Sequence, residues 1–398
     1  MASVTGEQKF NQKKDELEKN LDERLNADNL PDANIMVVGI TGTGKSTLIN
    51  AVFGSELAAT GSGQPVTDHI SEYKSNDTHI NIWDTIGLEL DSEKTKESIK
   101  SIRAKIASKA ESEDPYDRIH AIWYCINSGS NRYQGAELEF IKELYTIGVP
   151  FIIVLTQCSG DEEEVNAFEA EIKKINSSMN MDDIKVVQVL ALPVKYRGQA
   201  EPIPAFGLDE LVNVTLQLLP DFIKSGFIAA QKVSQNQKRS ECEGIICEYV
   251  RAAQLDFWDR VPLVNVGRTG RNIMNMFRKI GEMYNTVLSE ESIKEIMDKC
   301  HVDKENKFFG LISPIDMGYS KKITALLEQK KDEGFSVEVS DVESKYRAAR
   351  MIAFYGYTFV DAIEELWRNL TEEQLKNVDM VVRELIGIIN AKLKARVK

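Results

Sequence analysis

The chain has 398 residues, 28% of them charged, and a net charge of −13. That length allows two domains, because single cores rarely grow past about 250–300 residues. The acidic balance argues against a nucleic-acid binder held by phosphate contacts, which needs a basic face, so no nucleic-acid partner is expected. Five cysteines, Cys125, Cys158, Cys242, Cys247 and Cys300, fit no zinc spacing. Their odd number and irregular placement suggest reduced thiols in a cytoplasm. The first ten residues lack the apolar core of a signal peptide. The longest apolar run, residues 149–155, is too short to cross a bilayer and reads as a buried strand.

Residues 7–27 place Phe10, Leu17, Leu21 and Leu25 at near-helical spacing. That stripe predicts an N-terminal helix, either lying against another surface or solvated. From Asn34 the pattern alternates. Strands are predicted at 35–38, 69–73, 79–84, 119–126, 151–155 and 186–190. Helices are predicted at 45–53, around Ile99, Ile102 and Ile106, at 137–147, around Val165, Phe168, Ile172 and Ile175, and at 208–219. Such alternation builds an α/β domain: a mostly parallel sheet covered by helices on both faces, here with one antiparallel edge strand from the 69–84 hairpin. After Pro220 the strand pattern stops, and 221–398 read as helices broken at Pro262, 310–314 and Gly334. Three segments follow: an N-terminal helix over 1–32, a nucleotide-binding domain over 33–222 and an all-α domain over 223–398. The basic end of the chain, from Lys392, suits a helix C-terminus.

The strongest motif is Gly39-Ile40-Thr41-Gly42-Thr43-Gly44-Lys45-Ser46, followed by Thr47. It matches the GxxxxGK[ST] phosphate loop in full, between an apolar strand and a helix. Glycines let the backbone curl so that successive N–H groups face one phosphate, and the helix N-terminus adds partial positive charge. Lys45 then reaches the β- and γ-phosphates, and the Ser46 hydroxyl ligates Mg²⁺. A second motif, Asp84-Thr85-Ile86-Gly87, follows a predicted strand. The Asp84 carboxylate would hold Mg²⁺ through water, and the Gly87 N–H would meet the γ-phosphate. Between them, the glycine-rich stretch 61–68 reads as a mobile loop that offers a hydroxyl to the metal when the γ-phosphate is present. Thr67 is the candidate, with Thr60 second.

The order of phosphate loop, Pro65-Val66-Thr67, Asp84-Thr85-Ile86-Gly87, and a strand ending before Thr156-Gln157-Cys158 resembles the Era-like branch of the translation-factor-related P-loop GTPases. Immunity-related GTPases and septins are more distant kin. The resemblance covers residues 33–222. Segments 261–284 and 354–367 also resemble the helical domain behind some Era-like proteins. The resemblance implies Mg²⁺ and GTP/GDP as cofactors, with Lys45, Thr67 and Gly87 serving catalysis. It implies phosphate and base contacts from Gly39, Thr41, Gly42, Thr43, Gly44, Lys45, Ser46, Thr47, Thr156, Gln157 and Ala191. Ser46, Thr67 and Asp84 are the implied metal ligands.

Two departures bear on function. Family members read guanine with [NT]KxD, whereas this chain has Thr156-Gln157-Cys158-Ser159, with Asp161 two residues late. Ser159 supplies no charged acceptor, so modest guanine affinity is expected. Leu88 stands where a water-orienting glutamine occurs in Ras-like members, so hydrolysis should be slow unless helped. Loop residues Asn131, Arg132 and Gln134 are candidates. Arg132 either reaches across a pair of G domains or is a solvated loop arginine. Three readings remain open: a GTPase switch that moves its helical domain, a protein assembling through G-domain homodimers, with or without a membrane surface, or a non-hydrolysing purine-nucleotide-binding module that has kept the phosphate loop. An activating partner protein fits the first. The segment 268–278 suits either an interface helix or a core helix with exposed arginines.

Overall fold

Seven consecutive buried residues, Ala33–Gly39, form strand β1. Strand geometry sends alternate side chains to opposite faces, so a strand buried throughout must lie between two apolar layers. The computed structural model describes residues 30–54, 64–67, 70–74, 79–85, 93–130, 133, 136–255, 265–286, 288–300 and 347–396. The N-terminal helix expected over 7–27, the breaks expected at Pro262, 310–314 and Gly334, and Thr60, Gly87, Leu88, Asn131, Arg132 and Gln134 lie outside them.

The other strands are β2 (Gln64–Thr67), β3 (Ile70–Lys74), β4 (Ile80–Thr85), β5 (Ala121–Asn127), β6 (Phe151–Thr156) and β7 (Lys185–Gln188). They form one sheet in the order β2-β3-β4-β1-β5-β6-β7. β4, β1, β5, β6 and β7 are mutually parallel, and β3 joins β4 antiparallel. The antiparallel edge is wider than the sequence suggested. Gln64–Thr67 was expected as loop, yet it pairs with β3, with a register shift between Pro65 and Thr67. Proline has no N–H to donate, so an outer edge strand with an irregularity is where it fits.

Helices α1 (Lys45–Phe53), α2 (Glu93–Ala110), α3 (Ala136–Tyr145), α4 (Glu162–Ser178), α5 (Leu208–Leu218) and α6 (Asp221–Ala230) cover this sheet. On one face Met36, Val38, Tyr124 and Ile153 pack with Ile102 and Ile106 of α2, Phe140 of α3 and Phe168 of α4. On the other, Ile35, Val37, Trp123 and Val154 pack with Leu48 and Val52 of α1, Leu211 of α5 and Phe227 of α6. Phe53 stacks on Trp123 at 5.7 Å between ring centroids and meets Phe227 edge-on at 5.9 Å.

The compact unit holding this sheet runs Leu30–Gln235, past the boundary of 222 read from Pro220. Pro220 does not end the domain; it is the N-cap of α6. That helix lies so near the start of β1 that a Cβ on Gly226 would come within 1.7 Å of the Pro31 carbonyl oxygen. Ile223, Phe227 and Ala230 are fully buried in the core.

A second unit contains α7 (Gln235–Leu255), α8 (Asn265–Met283), α9 (Glu290–Lys299), α10 (Arg347–Asn369), the short α11 (Glu372–Leu375) and α12 (Val378–Arg396). Its described residues are helical. Phe277 of α8 stacks on Phe359 of α10 at 4.1 Å. Ile273, Met276 and Phe277 are buried, so the 268–278 segment is a core helix, with Arg271 outward, and not an apolar interface face. Arg239 of α7 donates to Glu364 at 2.6 Å and to Asp361 at 2.8 Å on α10. Lys392 in the basic last turns of α12 pairs with Glu365. Among the described residues no helix is long and apolar enough to cross a membrane.

Candidate nucleotide site

The carboxyl ends of β1, β4 and β6 meet at one edge of the sheet, where open α/β sheets bind ligands. The phosphate loop leaves β1 there. Gly39 adopts φ 155°, and a Cβ on it would come within 2.5 Å of the Cys125 carbonyl oxygen. Gly44 sits at φ 81° and is the N-cap of α1, with no side-chain cap hydrogen bond and no acidic residue in the first turn. A helix start left without a capping side chain or an acid is suited to an anion. Thr41, Ser46 and Thr47 are exposed at this mouth, while Thr43 is buried and its hydroxyl donates to the Ile40 carbonyl at 2.8 Å.

Lys45 is 8% exposed and folds back over its own loop. Its ammonium donates to the carbonyls of Gly39 at 2.9 Å and Ile40 at 3.2 Å. An ammonium has three protons, so a donor remains for a phosphate oxygen. Beneath the loop, burial pushes the Cys125 thiol up to about 12, so it stays protonated.

Asp84 lies across the β1–β4 ladder, opposite Val37. It is 8% exposed, and its Oδ1 has no hydrogen-bond partner. Burial pushes its carboxyl up to about 6, against the pull of the nearby Lys45 charge. A buried carboxylate oxygen without a partner, near the Lys45 charge at the start of α1, suits a hard cation that takes few protein oxygens and completes its shell with water and phosphate. These groups are compatible with Mg²⁺, which Ser46 and Asp84 would hold. Among the described residues no cluster of three or more His, Cys, Asp or Glu forms an all-protein metal cage. Thr67 is in the edge strand β2, opposite Ile70.

The end of β6 is tied to the phosphate loop. The Thr156 hydroxyl donates to the Thr43 carbonyl at 2.6 Å, with the Ile126 carbonyl at 3.1 Å. Gln157 adopts φ 56°, and its Nε2 donates to the Gly42 carbonyl at 2.8 Å. A Cβ on Gly44 would stand 3.4 Å from that nitrogen, so the Gln157 side chain lies along the loop. The Ser128 hydroxyl holds the Gln157 carbonyl at 3.1 Å. Asp161 caps α4, accepting from the N–H groups of Glu163 at 3.0 Å and Glu164 at 3.2 Å. One of its two oxygens, Oδ1, is thus engaged in holding the start of α4. Ala191 follows β7 and packs half-buried against the core.

The structure adds a partner that the sequence did not offer. Ser159 Oγ and Tyr196 Oη lie 2.8 Å apart. Tyr196 reaches it from a hairpin-like excursion closed by the bridges Leu190–Phe206 and Val194–Ile203.

This sheet, loop and carboxylate define a P-loop G domain. A family model described as 50S ribosome-binding GTPase matches residues 34–157, under half of the chain. Cell division control protein 10 of Saccharomyces cerevisiae is 33% identical over 138 residues, which is 29% of this chain and 43% of that protein. The chain thus spans less than half the length of that relative. Among solved structures, a GDP·AlF4-bound Era variant of Aquifex aeolicus shares 17% identity over 56% of this chain and 68% of its own, at a TM-score of 0.34. A probable GTP-binding protein EngB shares 20% over 47% and 98%, at 0.32. Elongation factor SelB of Methanococcus maripaludis shares 17% over 52% and 36%, at 0.32.

Proposed function

We propose that this protein binds GTP and GDP with Mg²⁺, hydrolyses GTP slowly, and acts as a nucleotide-controlled switch. The observation that carries the reading is the pairing of an uncapped phosphate loop, covered by Lys45, with the partnerless buried carboxylate of Asp84. Lys45 would bind the β- and γ-phosphates. Ser46 and Asp84 would hold Mg²⁺, which supplies charge compensation when bound. Thr67 and Gly87 are the proposed γ-phosphate sensors, and Ala191 would offer its N–H to the base. Leu88 offers no hydrogen bond to orient water, so hydrolysis is expected to be slow without a helper.

Calorimetry of the full chain with GDP, a GTP analogue, ADP and an ATP analogue, each with Mg²⁺, tests this. Guanine nucleotides should bind more tightly. Lys45→Ala, checked for folding by its melt, should weaken them by about tenfold or more, because a charge-assisted contact is lost. Tighter ADP than GDP binding, or unchanged affinity in a folded Lys45→Ala protein, would refute it.

The switch part predicts that the γ-phosphate alters the helical unit. Hydrogen exchange with GDP and with a GTP analogue should differ in at least one helix beyond residue 235. Equal protection there would leave the helical unit as an appendage without a nucleotide response.

A further inference from the structure

Ser159 stands at the aspartate position of the [NT]KxD pattern, and a second hydroxyl meets it. Ser159 is the second residue beyond Gln157, whose side chain lies along the phosphate loop. Its hydroxyl is 2.8 Å from the Tyr196 phenol. Tyr196 is not placed there by accident of a floppy loop. Its backbone starts a tight turn, with the Gln199 N–H donating to the Tyr196 carbonyl at 3.1 Å and Gly198 at φ 93°. That positive φ at the third turn residue is the type II geometry glycine serves. The Gln199 side chain accepts from the Tyr196 N–H at 3.3 Å, and Lys195 donates across the turn to Ala200 at 2.8 Å. Paired backbone bonds at Val194–Ile203 and Leu190–Phe206 hold the hairpin to the end of β7. Tyr196 keeps 46% of its surface exposed, although it is a large ring with a fixed backbone.

We propose that Tyr196, held by Ser159, is the base-reading residue of this nucleotide site, and that the pair reads a purine without requiring the guanine 2-amino group. The proposal rests on the nucleotide-binding reading above. A carboxylate only accepts, so it suits the two N–H donors on the guanine edge and leaves a charge unpaired when one donor is missing. Sites built that way reject the analogue that lacks the group. A hydroxyl carries one donor and two lone pairs and rotates to suit its partner. The Ser159–Tyr196 pair can therefore accept from the ring N1–H with or without the 2-amino group beside it. An exposed hydroxyl that loses a partner returns to water, so the missing amine costs little. The half-exposed phenol ring also offers a flat face next to Ser159, which every purine can use.

The test is the affinity of the full chain for Mg²⁺ complexes of GDP and IDP, which differ only by the 2-amino group. Wild type should favour GDP by less than about tenfold, the range of one neutral hydrogen bond. Tyr196→Phe keeps the ring and removes the phenol. It should weaken GDP and IDP alike by about threefold, within the worth of one neutral bond. Ser159→Asp restores an acceptor that the Tyr196 hydroxyl can anchor. It should raise the GDP-over-IDP ratio above about tenfold, the range of a charge-assisted bond. A wild-type ratio above about thirtyfold would overturn the proposal, because it demands an acceptor stronger than hydroxyls. So would Tyr196→Phe binding both nucleotides as wild type does, or Ser159→Asp leaving the ratio unchanged. Absence of binding to either nucleotide would instead refute the nucleotide site itself. Thermal melts of the variants separate misfolding from a change in recognition.

Discussion

Asp84→Asn should make the nucleotide-free protein more stable at about pH 8, by about 1–3 kcal/mol, while removing the Mg²⁺ dependence of nucleotide affinity. The carboxyl of Asp84 is buried, and burial raises it from 3.8 to about 6. The folded state therefore holds this proton more tightly than the unfolded chain does. Between those two values the folded state binds more protons, so stability falls as pH rises through the window. Above about pH 7 the full cost of the buried charge is present, and it stays constant at higher pH. Asparagine has the same shape and no charge, so the cost disappears. The same change deletes the negative oxygen proposed to hold the cation. Denaturant unfolding at about pH 5 and about pH 8, with nucleotide titrations with and without Mg²⁺, gives both halves of the result. A variant less stable than wild type at the higher pH, or one that keeps its Mg²⁺ response, would overturn the assignment of Asp84. The general point is that a binding site holds its functional charge at the expense of the empty fold.

What the sequence revealed was set by how local each feature is. The phosphate loop was legible because its glycines, lysine and serine act within eight consecutive positions, Gly39 to Ser46, flanked by a strand and a helix. The apolar runs of β5 and β6 were legible because a strand buried on both faces needs them. The parallel sheet with two helical layers followed from the same alternation. Edges were harder. Gln64–Thr67 follows Gly61-Ser62-Gly63 and contains Pro65, all turn signals, yet pairing with β3 makes it a strand. Pro220 looked like a terminator, but proline is as fit to begin a helix as to stop one, and α6 completes the core. In the helical unit, the arginines of 268–278 drew attention to an exposed face. Ile273, Met276 and Phe277 lie three and one apart and face the core together. Least legible was Tyr196. Its hydroxyl meets Ser159 across 37 positions, through a hairpin held by two isolated bridges, and Tyr196 itself belongs to no phosphate or base motif. Long-range pairing of single polar groups leaves no periodic trace in a sequence.

Glu137→Gln should flatten the remaining pH dependence and raise stability at about pH 8 by about 1–3 kcal/mol. Glu137 occupies the first turn of α3, is 4% exposed, and accepts from the Tyr124 phenol at 3.2 Å. Burial raises its carboxyl from 4.5 to about 7, and the Tyr124 hydrogen bond pulls the other way. The sign matches that of Asp84: the fold binds the proton more tightly, so stability declines as pH rises from about 4.5 to about 7. The two groups separate at the upper end. Asp84 is half titrated at about 6 and finishes near 7, so most of the slope between about pH 6 and about pH 7 belongs to Glu137. Glutamine keeps an oxygen to accept from Tyr124 and fills the same volume. At about pH 4 it should therefore come close to wild type, since the carboxyl there is neutral in the fold and mostly neutral in the unfolded chain. Glu137→Ala distinguishes charge from packing. It opens a cavity and leaves the phenol of Tyr124, itself fully buried, without its acceptor. That variant should be less stable than the glutamine variant at both pH values. Urea unfolding of the three proteins across about pH 4 to about pH 8 reads the result directly. Parallel pH profiles for wild type and Glu137→Gln would show that this carboxyl does not titrate in that window.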